Sequence, residues 1–279
     1  MTIAINAKIH EGVVLASDSA TTLIDQKGGV INVYEHANKI FNLYKGLPIG
    51  AITYGLGNIG HASIATLAKD FRSDLKTKLK PENYELESIA IEFGEFIHKK
   101  YKEVFKDTPI EKQPVLGFVI AGYSSGSDLP EEYQLIYPKM TSPSSLRPLE
   151  EVGLTWNGEI EPLTRLILGH GSHLQKSVER SIDLFKGKKE AQDFIKKLQM
   201  ESQVSIISPG MPLQDVINLA EYLVETAINF AKYRPGAQTV GGPIEIAVIT
   251  RHEGFKWIKR KHYFSTDLNN HKSTEQQKI

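Results

Sequence analysis

Thr2-Ile3-Ala4-Ile5-Asn6-Ala7-Lys8-Ile9, turning at His10-Glu11-Gly12 into Val13-Val14-Leu15-Ala16-Ser17-Asp18, is the stretch on which the fold turns. The first run alternates as a half-buried strand does, and the second returns at once, so the pair reads as a β-hairpin starting at residue 2. Beyond it lies a polar, Gly-rich connection, Asp25-Gln26-Lys27-Gly28-Gly29. Two further runs, Lys39–Tyr44 and Ile49–Tyr54, flank the turn Lys45-Gly46-Leu47-Pro48 and make a second hairpin. The period then changes. Ile64, Leu67, Ala68, Phe71 and Leu75 are spaced by three or four and predict a helix from Ile59 to Leu79, which Pro81 interrupts. Ile89, Phe93, Phe96, Ile97 and Tyr101 predict a second helix over Glu85–Phe105.

The second half returns to strands at Val115–Tyr123 and Tyr133–Tyr137, then to helices at Glu161–Leu168, Leu174–Phe185, Lys188–Met200 and Leu213–Tyr233. Two last strands are expected at Ile244–Thr250 and Phe255–Tyr263. Alternating βαβ units are absent, which disfavours a doubly wound parallel sheet. Two packed antiparallel sheets with helices outside fit this order, an α+β chain with a four-layer αββα sandwich. One domain is expected over residues 1–264, with a polar, disordered tail at 265–279. Residues 128–158 and 188–212 read as long loops that line or cap a site.

Composition narrows the function classes. The 279 residues carry 33 basic and 33 acidic side chains, so net charge supplies no footprint for nucleic acid or an anionic membrane. There is no cysteine, which removes disulfides, thiolate catalysis and Cys-ligated zinc together. The Ile3–Ile9 run is too short and too interrupted for a signal peptide, and no run reaches the ~18 apolar residues of a spanning helix. A cytoplasmic protein is expected. His170 and His173 lie three apart with no third ligand nearby, so neither metal nor cofactor is expected.

In order along the chain, Thr2-Ile3-Ala4-Ile5, Gly12-Val13-Val14-Leu15-Ala16-Ser17-Asp18-Ser19, Lys39-Ile40-Phe41 and Tyr54-Gly55-Leu56-Gly57 resemble the start of proteasome β subunits and their bacterial relatives, the Anbu type among them. The similarity is clearest over residues 2–75 and returns more weakly at Leu168–Ser172 and Gly241–Ile249. The resemblance implies an N-terminal-nucleophile hydrolase: a threonine-type peptidase or amidase acting on peptide or protein, in a ring-like homo-oligomer. Any ATPase partner stays open.

A Thr hydroxyl at its free pKa is a poor nucleophile and needs a nearby base. With Met1 removed, the α-amine of Thr2 supplies one, since its reference pKa is about 7.7–8.0. The resemblance assigns Lys39 as an ammonium that keeps this amine neutral, Asp18 as the carboxylate that holds Lys39, and the Gly55 N–H as an oxyanion donor. Three departures stand beside this match. Gly169-His170-Gly171-Ser172 stands where the family has a Gly-Ser-Gly turn, Ala237 and Val240 replace an Asp and a Ser near Gly241, and Ala20 replaces a common Arg. His170 and Thr239 are candidate supporting residues. These substitutions either retune the activity or mark a catalytically inactive scaffold that binds a partner. Taken singly, each residue also has an ordinary structural use: Asp18 as a turn former, Lys39 as a solvated strand start, His170 as a buried structural histidine.

Two local motifs are set aside. Gly55-Leu56-Gly57-Asn58-Ile59-Gly60 spells a dinucleotide fingerprint, but a second helix, not a parallel strand, follows. Gly122-Tyr123-Ser124-Ser125-Gly126 spells a nucleophile elbow, but no helix follows Ser124 to support the strained turn.

Overall fold

The computed structural model describes residues 2–25 and 29–261. Its elements run β1 (Ile3–Ile9), β2 (Gly12–Ser17), β3 (Thr21–Ile24), β4 (Val30–Tyr34), β5 (Ile40–Asn42), β6 (Ile49–Gly55), β7 (Asn58–Ile59), β8 (Ala62–Ser63), α1 (Ile64–Lys78), α2 (Leu86–Phe105), β9 (Leu116–Gly122), β10 (Glu131–Tyr137), β11 (Met140–Ser145), β12 (Gly153–Gly158), α3 (Glu161–Leu168), α4 (Leu174–Arg180), α5 (Lys188–Ser202), α6 (Leu213–Tyr233), β13 (Glu245–Thr250) and β14 (Gly254–Lys259). Met1 and the tail expected at 265–279 lie outside the described residues, as do residues 26–28.

The opening hairpin forms as the sequence predicts, with Ala4 opposite Ser17 and Ile9 opposite Gly12. It sits inside a five-stranded antiparallel sheet of order β12-β1-β2-β13-β14. A second antiparallel sheet has the order β11-β10-β9-β6-β5. Because side chains alternate across a strand, β1 sends Ile3, Ile5, Ala7 and Ile9 into an apolar cluster with Val216, Ala220, Leu223 and Ala227 of α6. Its Ala4 turns the other way, into a cluster that mixes Val13, Leu15 and Ala247 of the first sheet with Ile52, Val119 and Ala121 of the second. The outer face of the second sheet packs Phe118, Ile120 and Leu135 against Leu67, Phe71, Ile89 and Phe93 of α1 and α2. The chain is thus a mixed α+β fold whose antiparallel sheets carry helices.

Several stretches differ from expectation. Helix α1 starts at Ile64 rather than Ile59, because Asn58–Ile59 and Ala62–Ser63 pair as a minimal hairpin and the Ser63 hydroxyl caps the helix by accepting the Thr66 N–H. Two strands that the sequence did not announce, β3 and β4, flank the polar connection 25–29, and the mostly exposed β4 lacks the alternation that marks a half-buried strand. The stretch 128–158 is not a long loop, since β10, β11 and β12 occupy most of it. β11 holds Pro143, which an edge strand tolerates, and β12 is partly buried at five of its six positions, so neither shows a period of two. Helix α4 ends at Arg180, with a single 3-10 turn at Ile182–Leu184, whereas α5 forms where a helix was expected at Lys188–Met200 and so takes up more than half of the stretch 188–212 also read as a long loop.

Candidate functional site

Asp18 directly follows β2, and its fully buried carboxylate gathers four donors. One oxygen, Oδ1, accepts from the Ile3 N–H at 3.0 Å and from Lys39 Nζ at 2.6 Å. The other, Oδ2, accepts from the Ala20 N–H at 3.1 Å and the Gly241 N–H at 3.0 Å. The chain ends of β1, β2, β5 and β13 are thereby tied at one point. Lys39 enters just before β5 and is nearly as buried. Burial holds its pKa below the ordinary lysine value of 10.5, against the pull of Asp18 in the other direction.

Thr2 immediately precedes the Ile3 amide that Asp18 holds, and it is 5% exposed. Its carbonyl accepts the Glu159 N–H at 2.7 Å. Gly158, with φ +92°, must be glycine here, since a Cβ would fall 1.9 Å from that same carbonyl oxygen. The neighbouring Glu159 carboxylate is held by Arg234 at 3.2 and 3.3 Å.

Gly55 ends β6 at φ +88° and is exposed. It stands at the same end of its sheet as Lys39, whose carbonyl accepts the Thr53 N–H at 2.9 Å. A Cβ there would meet the Val115 carbonyl at 2.2 Å, so backbone closeness also fixes this residue as glycine. Thr239 is drawn to the same corner, two residues before Gly241, and its buried hydroxyl has no hydrogen-bond partner among the described residues. His170 makes no hydrogen bond to that network among the described residues. It follows the left-handed cap Gly169 of α3, with Nδ1 3.1 Å from the Gly171 carbonyl and Nε2 buried without a partner. No hydrogen bond or ion pair among the described residues links His170 to Asp18 or Lys39.

The glycine-rich run 55–60 does not open a helix, because β7 and β8 intervene before α1. Ser124 connects two antiparallel strands, accepting the Leu86 N–H and donating to Glu131 at 2.5 Å, which is a structural use of its hydroxyl.

Three features were not anticipated from the sequence. Lys261 pairs with Glu245 at 2.6 Å directly beside Ser19, although 242 residues separate Lys261 from Ser19. Asn6, Lys8, Glu132 and Arg147 form a buried polar group in which Arg147 Nε lies 2.6 Å from Glu132 and Lys8 donates to the Leu149 carbonyl at 2.8 Å. The alternation of β1 contained a signal for it, since Asn6 and Lys8 share a face with Ala4. An open hollow of ≈320 Å³ lies beside Asp18, lined in part by Ala20, Val33, Gln238 and Gly241, and its β4 wall belongs to strands not expected. Among the described residues no helix is long and apolar enough to cross a membrane.

No family model matches the chain, and no curated protein matches it. Solved structures do. The helical assembly of the Anbu complex from Pseudomonas aeruginosa is 14% identical, with 95% of this chain and 90% of that chain covered and a TM-score of 0.52. A Gly-1 mutant of Anbu from Hyphomicrobium sp. strain MC1 is 15% identical over 94% of this chain and 89% of that one, at a TM-score of 0.53. Anbu from Yersinia bercovieri, described as an ancestral beta-subunit, is 14% identical over 94% and 88%, at 0.51. At such identities the likeness shows the fold alone. The expected membership in the proteasome β-subunit type of N-terminal-nucleophile hydrolase family is overturned: these neighbours are Anbu proteins, proteasome-like but distinct as a family, and neither a family model nor a curated hydrolase supports the wider assignment.

Proposed function

We propose that the chain is a proteasome-like scaffold subunit that assembles with copies of itself and binds a partner. The observation that carries this reading is the likeness over 94–95% of the chain to Anbu structures, one of them a helical assembly, at identities too low to bring any chemistry with it. In each subunit the three apolar clusters, helix against sheet, sheet against sheet and sheet against helix, support a four-layer αββα stacking. A ring-like or helical homo-oligomer in the cytoplasm belongs to this reading. Light scattering across a hundredfold range of concentration tests it. A defined oligomer is expected, and a monomer at every concentration sinks the proposal.

A second reading has its own observation: one Asp18 oxygen joins the Lys39 ammonium to the amide adjoining Thr2. In this reading Met1 is removed and the protein is a threonine hydrolase of peptides. The Thr2 hydroxyl attacks the substrate carbonyl and passes its proton to the freed α-amine. The Gly55 N–H donates to the oxyanion, and the departing amine takes the proton as the Thr2 ester forms. Water then attacks that ester, releasing the acid and restoring the hydroxyl. Intact mass before and after a β-lactone or epoxyketone probe decides it. One adduct on a chain lacking Met1, absent in Thr2→Ala, supports turnover; a retained Met1 or an unlabelled Thr2 leaves the scaffold alone.

A further inference from the structure

We infer that Lys261 is a positioning residue for Lys39, acting from a second buried ion pair set against the first. Its ammonium donates to the Ser19 hydroxyl at 2.7 Å and the Ala37 carbonyl at 2.8 Å, and forms an ion pair with Glu245 at 2.6 Å. Both members of this pair are almost fully buried. Two of the partners belong to the segments that carry the first pair, because Ser19 follows Asp18 and Ala37 precedes Lys39 by two residues. Those segments also bond directly, the Ala37 N–H donating to the Ser19 carbonyl at 2.9 Å. Ser19 is itself pinned from behind. Its N–H donates to the Gly241 carbonyl at 2.9 Å, and its hydroxyl donates to the Pro243 carbonyl at 2.6 Å.

The consequence is geometric and electrostatic at once. Lys261 fixes the chain just before Lys39 against the chain just after Asp18, so the 2.6 Å contact between them is held from outside the pair. The charged groups acting on the Lys39 ammonium are Asp18, Glu245 and Lys261. Lys261 disfavours its protonation, and Glu245 favours it. The two members of the second pair therefore bias Lys39 in opposite directions. For its bearing on turnover the inference rests on the threonine hydrolase reading, but the geometry exists whether or not Thr2 reacts.

The test reads Lys39 itself. In full-length protein carrying ¹³C-labelled lysine, the Lys39 Cε resonance, assigned by its loss in Lys39→Met, is followed against pH. Lys261→Met should move the Lys39 midpoint upward and Glu245→Gln should move it downward. Hydrogen exchange at Ala37 should speed at least tenfold in Lys261→Met while β9 and β10 stay protected. A Lys39 midpoint that moves in neither variant, or moves in the reverse directions, overturns the inference. Should Lys261→Met fail to fold, the direction of the Glu245→Gln shift decides on its own, downward in support and unmoved or upward against. Failure of the hydrolase reading shows separately, as a Thr2 that never labels while the Lys39 midpoint still shifts.

Discussion

Asp18→Ala strikes the point where the strand ends meet, and its cost can be worked from its partners. The substitution leaves the Lys39 ammonium buried without a counter-charge, and breaking a buried pair by deleting one member costs about 3–5 kcal/mol. It also strands the N–H groups of Ile3, Ala20 and Gly241, each worth about 1–3 kcal/mol if it stays dry. Water entering the vacated volume offsets part of this, so about 4 kcal/mol is a fair lower bound on the sum. For a domain near this size that is a fall in Tm of about 8–16 °C. Urea unfolding followed by circular dichroism measures it. Asp18→Asn should fall between, because its carbonyl oxygen still accepts from Ile3 and Lys39 while its amide faces two backbone donors. Adding Lys39→Met to Asp18→Ala should restore at least about 1 kcal/mol by removing the orphaned charge. An Asp18→Ala protein within about 1 kcal/mol of wild type, or strict additivity in the double variant, refutes the account.

Other variants probe the same architecture. Because burial holds the folded pKa of Lys39 below its unfolded value of 10.5, the unfolded chain binds more protons between those two values, and this group makes stability rise with pH there. The stability difference between wild type and Lys39→Met should therefore grow in favour of wild type as pH rises through that window and stay flat below it; paired urea titrations from neutral to alkaline pH check the sign. Gly158→Ala forces a side chain onto φ +92° and against the Thr2 carbonyl, so it should cost more than about 1 kcal/mol, read as a lower urea midpoint. Ser63→Ala removes the hydroxyl cap of α1 and should cost about 0.5–2 kcal/mol, with helix content otherwise kept.

The opening hairpin was legible in the sequence because two apolar-rich runs are joined by a short polar turn, although β1 is buried on both faces rather than on one as its alternation suggested. Helices α2 and α6 were legible for a related reason, their stripes being long enough to override local noise. β3, β4, β11 and β12 were not, since an exposed or edge strand is held by backbone bonds that any sequence can supply. The site divides in the same way. Asp18 and Lys39 are in contact, one just past the well-marked β2 and the other just before β5. Lys261 gave no local signal, because its meaning lies entirely in partners that tertiary folding brings to it. His170, expected from a matching motif order, makes its hydrogen bond locally, to the Gly171 carbonyl.

The structural use of Asp18 bears on how its presence is interpreted. A carboxylate that holds four segments is required for the chain to close around Thr2, so the fold demands Asp18 and its partner Lys39 in a scaffold and in an enzyme alike. The difference between those fates rests on one atom. While Met1 is attached, the Thr2 nitrogen is an amide and has no basicity to offer its hydroxyl. Removal of Met1 makes it an amine with a reference pKa of about 7.7–8.0, the base that the hydrolase reading proposed above requires. A chain that keeps Met1 thus retains the Asp18–Lys39 network and lacks the base that the hydrolase reading requires.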